Sequence, residues 1–376
     1  MVAIMKNGLN KFSLITVCIA SLISPAILSA GSVSLMPNEI LQLRALIGTN
    51  AAALQQFAGI HKAADRALDD KPDPIEKVIS EGHLQTDPLK IRSAAAMNDR
   101  NKINSLAWAW AATGDERYAA KAREFILAWA KVNKADGDAI NETEFEPVIE
   151  AYDLLRGSFS EADRQTVDIW LQNKADVLWN EYKNGGKGHW KGNFVSHGLK
   201  IIGLVGLTLG NESLTKDAVN GFRTHIKEDL EPDGSTTDFY ARDAMHYHIY
   251  SIEPLLTLAR AGERHGEHLF DYKGPNGASL QSAVDFIVPF ADRKKSHLEF
   301  ANSKNGFDRK RAGNGEKEYQ PHLWSPKSSI VVFSKAAWFN PEYGKLAAKI
   351  DGKPNETFIN WHMVINAISQ PANITQ

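Results

Sequence analysis

Apolar positions recur at helical spacing along most of the chain, and the most informative instance is the row Met245, Ile249, Ile252 and Leu256. This three- and four-residue rhythm predicts an amphipathic helix from about Ser235 to Gly262. Asp233-Gly234 reads as the turn before it, and Ser235 followed by Asp238 approximates a capping box. With a turn of about 100° per residue, Tyr247 points away from the apolar stripe. Arg242, His246 and Tyr250 then follow its flank at i, i+4 and i+8. A solvated face is the plain explanation for such a polar side. Solvated faces, however, are ordinarily built from Lys and Glu, whereas Tyr and His in this number indicate a cleft that must hydrogen-bond something.

The same periodicity organises the rest of the chain. Helical spacing runs from Glu39 to Phe57 and on to Asp70, with breaks at Lys71 to Pro74 and at Pro88. Lys102 to Ala112 and Glu116 to Lys131 form a hairpin across Thr113-Gly114-Asp115. Asn141 with Glu144 caps a helix through Leu155, and Ser160 with Asp163 caps the next, through about Tyr182. A glycine-rich loop, Lys183 to Gly192, leads into a helix from Asn193 to Leu209, and Asn211 starts another to about Leu230. Later helices are expected at Ser279 to Phe290, from Ser325-Pro326 to Trp338 and from Asn340-Pro341, with a long polar loop from Ser296 to Leu323. Period-two strand patterns are nearly absent, and no repeat of fixed length is visible. About a dozen paired helices imply an all-α fold, an α/α toroid or incomplete barrel of about six or seven helical hairpins.

Composition narrows the function classes. The 376 residues are 43% hydrophobic and 23% charged, an ordinary globular balance with a sizeable core. A formal net charge of −2 offers no whole-protein attraction for nucleic acid, so an anionic partner must be held by a local patch. Lys6 and Lys11 precede an apolar run from Phe12 to Leu28 that ends in Leu28-Ser29-Ala30, which reads as a signal peptide over residues 1–30 cleaved near Ala30. The single catalytic domain is then expected over residues 31–376, periplasmic or secreted, with no membrane attachment after cleavage. The lone cysteine, Cys18, would leave with the leader, which removes thiol nucleophiles and thiolate metal sites. Phosphate loops, dinucleotide fingerprints, Gly-x-Ser-x-Gly and His-Glu-x-x-His are missing, and neither a metal nor a cofactor is expected.

Candidate chemistry gathers in two stretches. If a helix begins near Asn193, then Asn193 and His197 share a face one turn apart and can present an amide and an imidazole to a carboxylate. Capping by Asn193 and packing by His197 are the alternative. Tyr247 is a phenol able to donate a proton, or to accept one where cations such as Arg242 favour its ionised form; a packing residue at a helix crossing is the other reading. Trp190, Trp324 and one of Trp108 or Trp110 are candidate sugar platforms, although helical tryptophans are more often core. Lys191, Tyr240, His246 and Tyr250 are further candidate substrate contacts. Lys304 to Arg311, with Arg309 and Arg311, suits a lid gripping a polyanion or simply a solvated charged loop.

Three segments together carry a family resemblance. The run Asp138 to Leu155 (DAINETEFEPVIEAYDLL), the pair Asn193 and His197, and the segment Ala241 to His248 (ARDAMHYH) resemble the alginate lyase superfamily of secreted polysaccharide lyases, over roughly residues 90 to 265. The resemblance implies an α/α toroid that cleaves a uronic-acid polymer by β-elimination, with alginate first and glucuronan second as substrate. It makes Asn193 the group that neutralises the substrate carboxylate, His197 its partner or the base, Arg242 an electrostatic stabiliser and Tyr247 the catalytic phenol. Separation of Asn193 from His197 by Phe-Val-Ser departs from the adjacent Asn-Asn-His of polysaccharide lyase family five and is nearer to family thirty-eight. Two other functions fit a helical barrel. A glycoside hydrolase would need paired carboxylic acids, with Asp238, Asp243 and Glu142 the nearest candidates, and a carbohydrate-binding protein would need no turnover.

Overall fold

The computed structural model describes residues 33–186 and 190–369. The expected leader, its cleavage point near Ala30 and the centre of the 183–192 loop lie outside the described residues. The first half runs through α1 (Pro37–Thr49), α2 (Ala51–Ala67), α3 (Pro88–Thr113), α4 (Glu116–Val132), α5 (Ala139–Glu142), α6 (Glu146–Leu155) and α7 (Glu161–Lys183). The second half comprises α8 (Asn193–Leu209), α9 (Glu212–Asp229), α10 (Thr237–Arg242), α11 (Met245–Glu263), α12 (Leu280–Ala291), α13 (Gly306–Gly313), α14 (Ile330–Ala336), α15 (Pro341–Ile350) and α16 (Trp361–Ile368). Neighbours in sequence pack as hairpins, α3 on α4, α8 on α9 and α14 on α15, and α16 comes back against α1 and α2. The architecture is the expected all-α toroid. Among the described residues no helix is long and apolar enough to cross a membrane.

Helix α8 is the hub. It packs against α7, α9 and α11, and it supplies Ile201, Ile202, Leu204 and Val205 to one hydrophobic cluster and Val195 and Leu199 to the other. A helix apolar nearly all round belongs in a core. Its buried polar residues therefore need partners: Lys200 pairs with Glu146, and Ser196 Oγ is 2.8 Å from His225 Nε2.

Several boundaries differ from expectation, each for a local physical reason. Pro88 starts α3 instead of interrupting the chain, because a first-turn proline loses no helical hydrogen bond and Asp87 caps the Leu89 amide. Asp138, not Asn141, caps the next helix, which passes through one 3-10 turn before α6. Asn141 instead holds a distant loop, its Oδ1 accepting from the Ser80 and Glu81 amides at 2.8 and 3.1 Å. The helix expected over 235–262 is broken in two. Asp243 adopts a left-handed conformation (φ 49°), while its carbonyl accepts from Phe300 N at 2.7 Å and its carboxylate from Asn302 N at 2.7 Å. Thr236, one residue after the expected Ser235, caps α10. The polar loop that breaks this helix is itself ordered, with strands β1 (Leu298–Glu299) and β2 (His322–Leu323) pairing antiparallel on either side of α13. The segment from Pro326 opens as a 3-10 turn before α14, and α16 is one helix more than expected.

Candidate active site

The first turns of α8 and α11 meet at one polar cavity of about 250 Å³. Asn193 and Phe194 line it from α8, Arg242 from the end of α10, and His246, Tyr247 and Tyr250 from α11. Arg311 of α13 and Tyr319 form the facing wall. The break at Asp243 takes Arg242 out of the helical row expected with His246 and Tyr250. Its guanidinium nonetheless reaches 4.0 Å from the Tyr247 ring centroid and is held there by an ion pair to Asp308.

Tyr247 is buried against Ala244 and Phe300, and its hydroxyl accepts a hydrogen bond from Arg311 Nη1 at 3.0 Å. Burial pushes the phenol well above its ordinary pKa, and the Arg242 and Arg311 charges oppose that push. Arg311 is aimed by two rings, with its guanidinium 4.3 Å from the Phe307 centroid and 4.6 Å from that of Tyr319. Asn193 opens α8, and both its backbone N and its Nδ2 donate to Asp238 Oδ2, at 2.7 and 2.6 Å. His197 lies one turn along, as the spacing requires, but behind the wall. Its ring centroid is 4.2 Å from that of Tyr250, and its Nδ1 is hydrogen-bonded to Thr143 Oγ1 at 2.8 Å. Burial, with the Lys200 charge adding, depresses its pKa well below the histidine range and so favours the neutral imidazole. Burial lowers His246 as well and raises Tyr250.

Other expected contacts lie elsewhere. The Trp190 indole packs over Gly198, where a Cβ would come within 2.2 Å of the ring, and Trp324 is buried in the second hydrophobic cluster. Trp108 is core, edge-on to Trp361, and Trp110 donates to Glu116 at 2.9 Å. Trp108 and Trp324 bury apolar area that a sugar platform would have to expose, whereas Trp110 and Trp190 are half-buried. Lys191 is exposed and not part of the cavity wall, and the half-exposed Tyr240 accepts from Ser235 Oγ. Arg309 donates outward to the Ser303 carbonyl at 3.0 Å. The expected lid is α13, docked onto α10 through Asp308 and through the Lys304 amide on the Ala241 carbonyl. None of the three carboxylates named for hydrolysis lines the cavity: Asp238 holds Asn193, Asp243 holds the 300–302 loop, and Glu142 is buried in an ion pair with Lys174.

Ser80, Glu81, Lys90, Ile140, Glu144 and Tyr319 complete the wall, and none of them was singled out from sequence as a site residue. One of them left a trace. Lys90 stands in the first turn of α3, where the helix dipole disfavours a cation. Burial and the neighbouring Arg311 charge lower its pKa further. Glu144 is ion-paired with Arg100. Lys90, Arg242 and Arg311 thus bring cations to a cavity that also offers an amide and a phenol, an arrangement that can bind an anionic group and move a proton beside it.

Comparison with known proteins bears on that arrangement. A family model described as alginate lyase matches residues 51–297. An exo-oligoalginate lyase of Saccharophagus degradans is 22% identical over 205 residues, covering 46% of this chain and 26% of the relative. A polysaccharide lyase of Stenotrophomonas maltophilia is 24% identical over 190 residues, covering 46% of this chain and 54% of that protein. The chain thus spans about a quarter and about half of these two curated relatives. Among solved structures, an alginate lyase from Bacteroides ovatus superposes with a TM-score of 0.69 at 15% identity, covering 90% of this chain and 99% of that one. A variant of alginate lyase A1-III complexed with a tetrasaccharide gives 0.56 at 18% identity, over 80% and 85% of the two chains. At such identities the structural likeness is one of fold. With the family model matching about two thirds of its residues, the chain belongs to the alginate lyase family.

Proposed function

We propose that this protein is a polysaccharide lyase that cleaves a uronic-acid polymer by β-elimination, alginate being the first candidate substrate and glucuronan the second. The observation that carries the reading is the Tyr247 hydroxyl, 3.0 Å from the Arg311 guanidinium in a cavity shared with Asn193 and Arg242. The lyase names of the relatives and the tetrasaccharide bound to a fold neighbour support it. The signal peptide read in residues 1–30 supports a periplasmic or secreted location.

The C5 proton of a uronate is weakly acidic because the adjacent carboxylate resists a second negative charge. Hydrogen bonds from Asn193, with Arg242 nearby and neutral His197 behind, stabilise the charge as it spreads onto that carboxylate. Ionised Tyr247, opposed by burial and favoured by Arg242 and Arg311, takes the C5 proton and passes it to O4 as the C4–O4 bond breaks. A C4=C5 double bond forms, and no water is consumed. One phenol serves both transfers when H5 and O4 share a face of the ring, as in mannuronate and glucuronate. No cofactor takes part in this scheme.

Digestion of a panel of uronate polymers by the pure, folded protein tests the proposal. Ultraviolet absorbance from a conjugated unsaturated uronide is expected to rise. Saturated products would indicate a hydrolase, and binding without product a carbohydrate-binding protein.

A further inference from the structure

Helices α8 and α11, which carry Asn193 and Tyr247, share an unusual feature at their starts. Neither Gly192 nor Ala244 caps its own helix with a side chain. Each helix is capped instead by a carboxylate from another segment: buried Glu299 of β1 accepts from the His246 amide at 3.1 Å, and half-buried Asp238 of α10 accepts from the Asn193 amide at 2.7 Å. Asp238 does more than cap. The same Oδ2 accepts from Asn193 Nδ2 at 2.6 Å and from Ser251 Oγ at 3.0 Å. A carboxylate only accepts, so the nitrogen of the Asn193 carboxamide, not its oxygen, must face Asp238. One N–H is thereby used, and the second is not taken by Asp238, on a side chain that lines the cavity.

The chain makes room for this contact. Gly192 sits at φ 52°, ψ −131°, a conformation open in practice only to glycine, and a Cβ there would lie 2.5 Å from Asp238 Oδ2.

We infer that Asp238 is a positioning residue: it fixes the flip of the Asn193 carboxamide so that an N–H donor, not the carbonyl oxygen, meets the substrate carboxylate. The role rests on the lyase reading above. Asn at position 238 could face Asn193 with either end of its amide, so the orientation would no longer be enforced and a fraction of molecules would present oxygen to an anion.

The test is a double-mutant cycle on initial rates. Asp238→Asn is expected to lower kcat about 10- to 100-fold, the usual range for a supporting partner of a functional group, with KM little changed. In an Asn193→Ala background the same substitution should cost no further kcat, because the group it orients is gone. Losses that multiply across the cycle would overturn the inference. A general loosening around Asp238 is monitored by Ser251→Ala, which removes another donor to the same carboxylate, keeps the Asn193 contacts and should lower Tm while leaving kcat near wild type. A second readout is independent of turnover. In ¹⁵N-labelled wild type, one Asn193 side-chain amide proton should resonate well downfield of its partner, as a hydrogen bond to a carboxylate requires. Its absence would overturn the inference even if Asp238→Asn does not fold. A wild type inert on every uronate polymer would reject the lyase reading, while the amide resonances would still decide the orientation.

Discussion

Replacing Arg311 with leucine should slow turnover by making the Tyr247 phenol harder to ionise. Arg311 is buried, its Nη1 is 3.0 Å from the hydroxyl, and two aromatic rings hold its guanidinium in place. A hydrogen bond to a charged group contributes about 1.5–3 kcal/mol. Since about 1.4 kcal/mol corresponds to one pKa unit or one factor of ten, the phenol pKa should rise by about one to two units, and kcat should fall by about 10- to 150-fold. Burial already favours the protonated phenol, so the loss adds to an existing penalty. The sign follows directly: removing a cation favours the neutral form, and the pH at which kcat levels off moves upward. Initial rates of ultraviolet absorbance increase, measured from neutral to alkaline pH at saturating substrate, would show it. Arg311→Lys should fall between, because it keeps the charge and loses the planar fork. A folded Arg311→Leu enzyme with wild-type kcat and an unmoved pH profile would refute the argument and leave Arg311 as a wall residue.

Tyr247→Phe keeps the ring among Ala244 and Phe300 and removes the reacting oxygen, so turnover should fall about 100- to 10,000-fold with a small change in Tm. Wild-type rates from that variant would return the residue to packing. Asn193→Ala should reduce kcat about 100-fold or more, the range for losing a transition-state donor; a change confined to KM would mean the amide only holds the ground state. Asp229, buried at the end of α9 and raised by burial to about 7, gives a prediction for stability. Its contribution is complete below the ordinary aspartate range and is lost as pH rises through about 7, a span of three units or about 4 kcal/mol. Thermal melts of Asp229→Asn against wild type should therefore show a Tm difference that moves in favour of the variant from pH 4 to 7 and then levels; a difference independent of pH would contradict the shift.

The helical hairpins, the caps at Ser160 and Asn211, and the turn at Gly114 were legible in the chain because each depends on residues within one or two turns of one another. So was the one-turn spacing of Asn193 and His197, which helical geometry imposes wherever α8 begins. The break at Asp243 was not legible, because the groups that hold it, Phe300 and Asn302, lie more than fifty residues away. The same separation hid the far wall. Lys90 and Tyr319 meet Tyr247 only once the toroid has formed, and the 80–90 segment is tied across to α13's outlet by Gln85 donating to Glu316 and Glu318. Periodicity also could not tell a tryptophan that stacks on sugar from one that fills a core, since both demand a large apolar ring on one helix face; only the folded chain shows that Trp108 and Trp324 are buried and that Trp190 packs over Gly198. Short-range hydrogen bonding and side-chain period thus wrote the helices and half of the site into the chain. Long-range packing chose which polar groups would face a common hollow, because only there does burying them demand a partner.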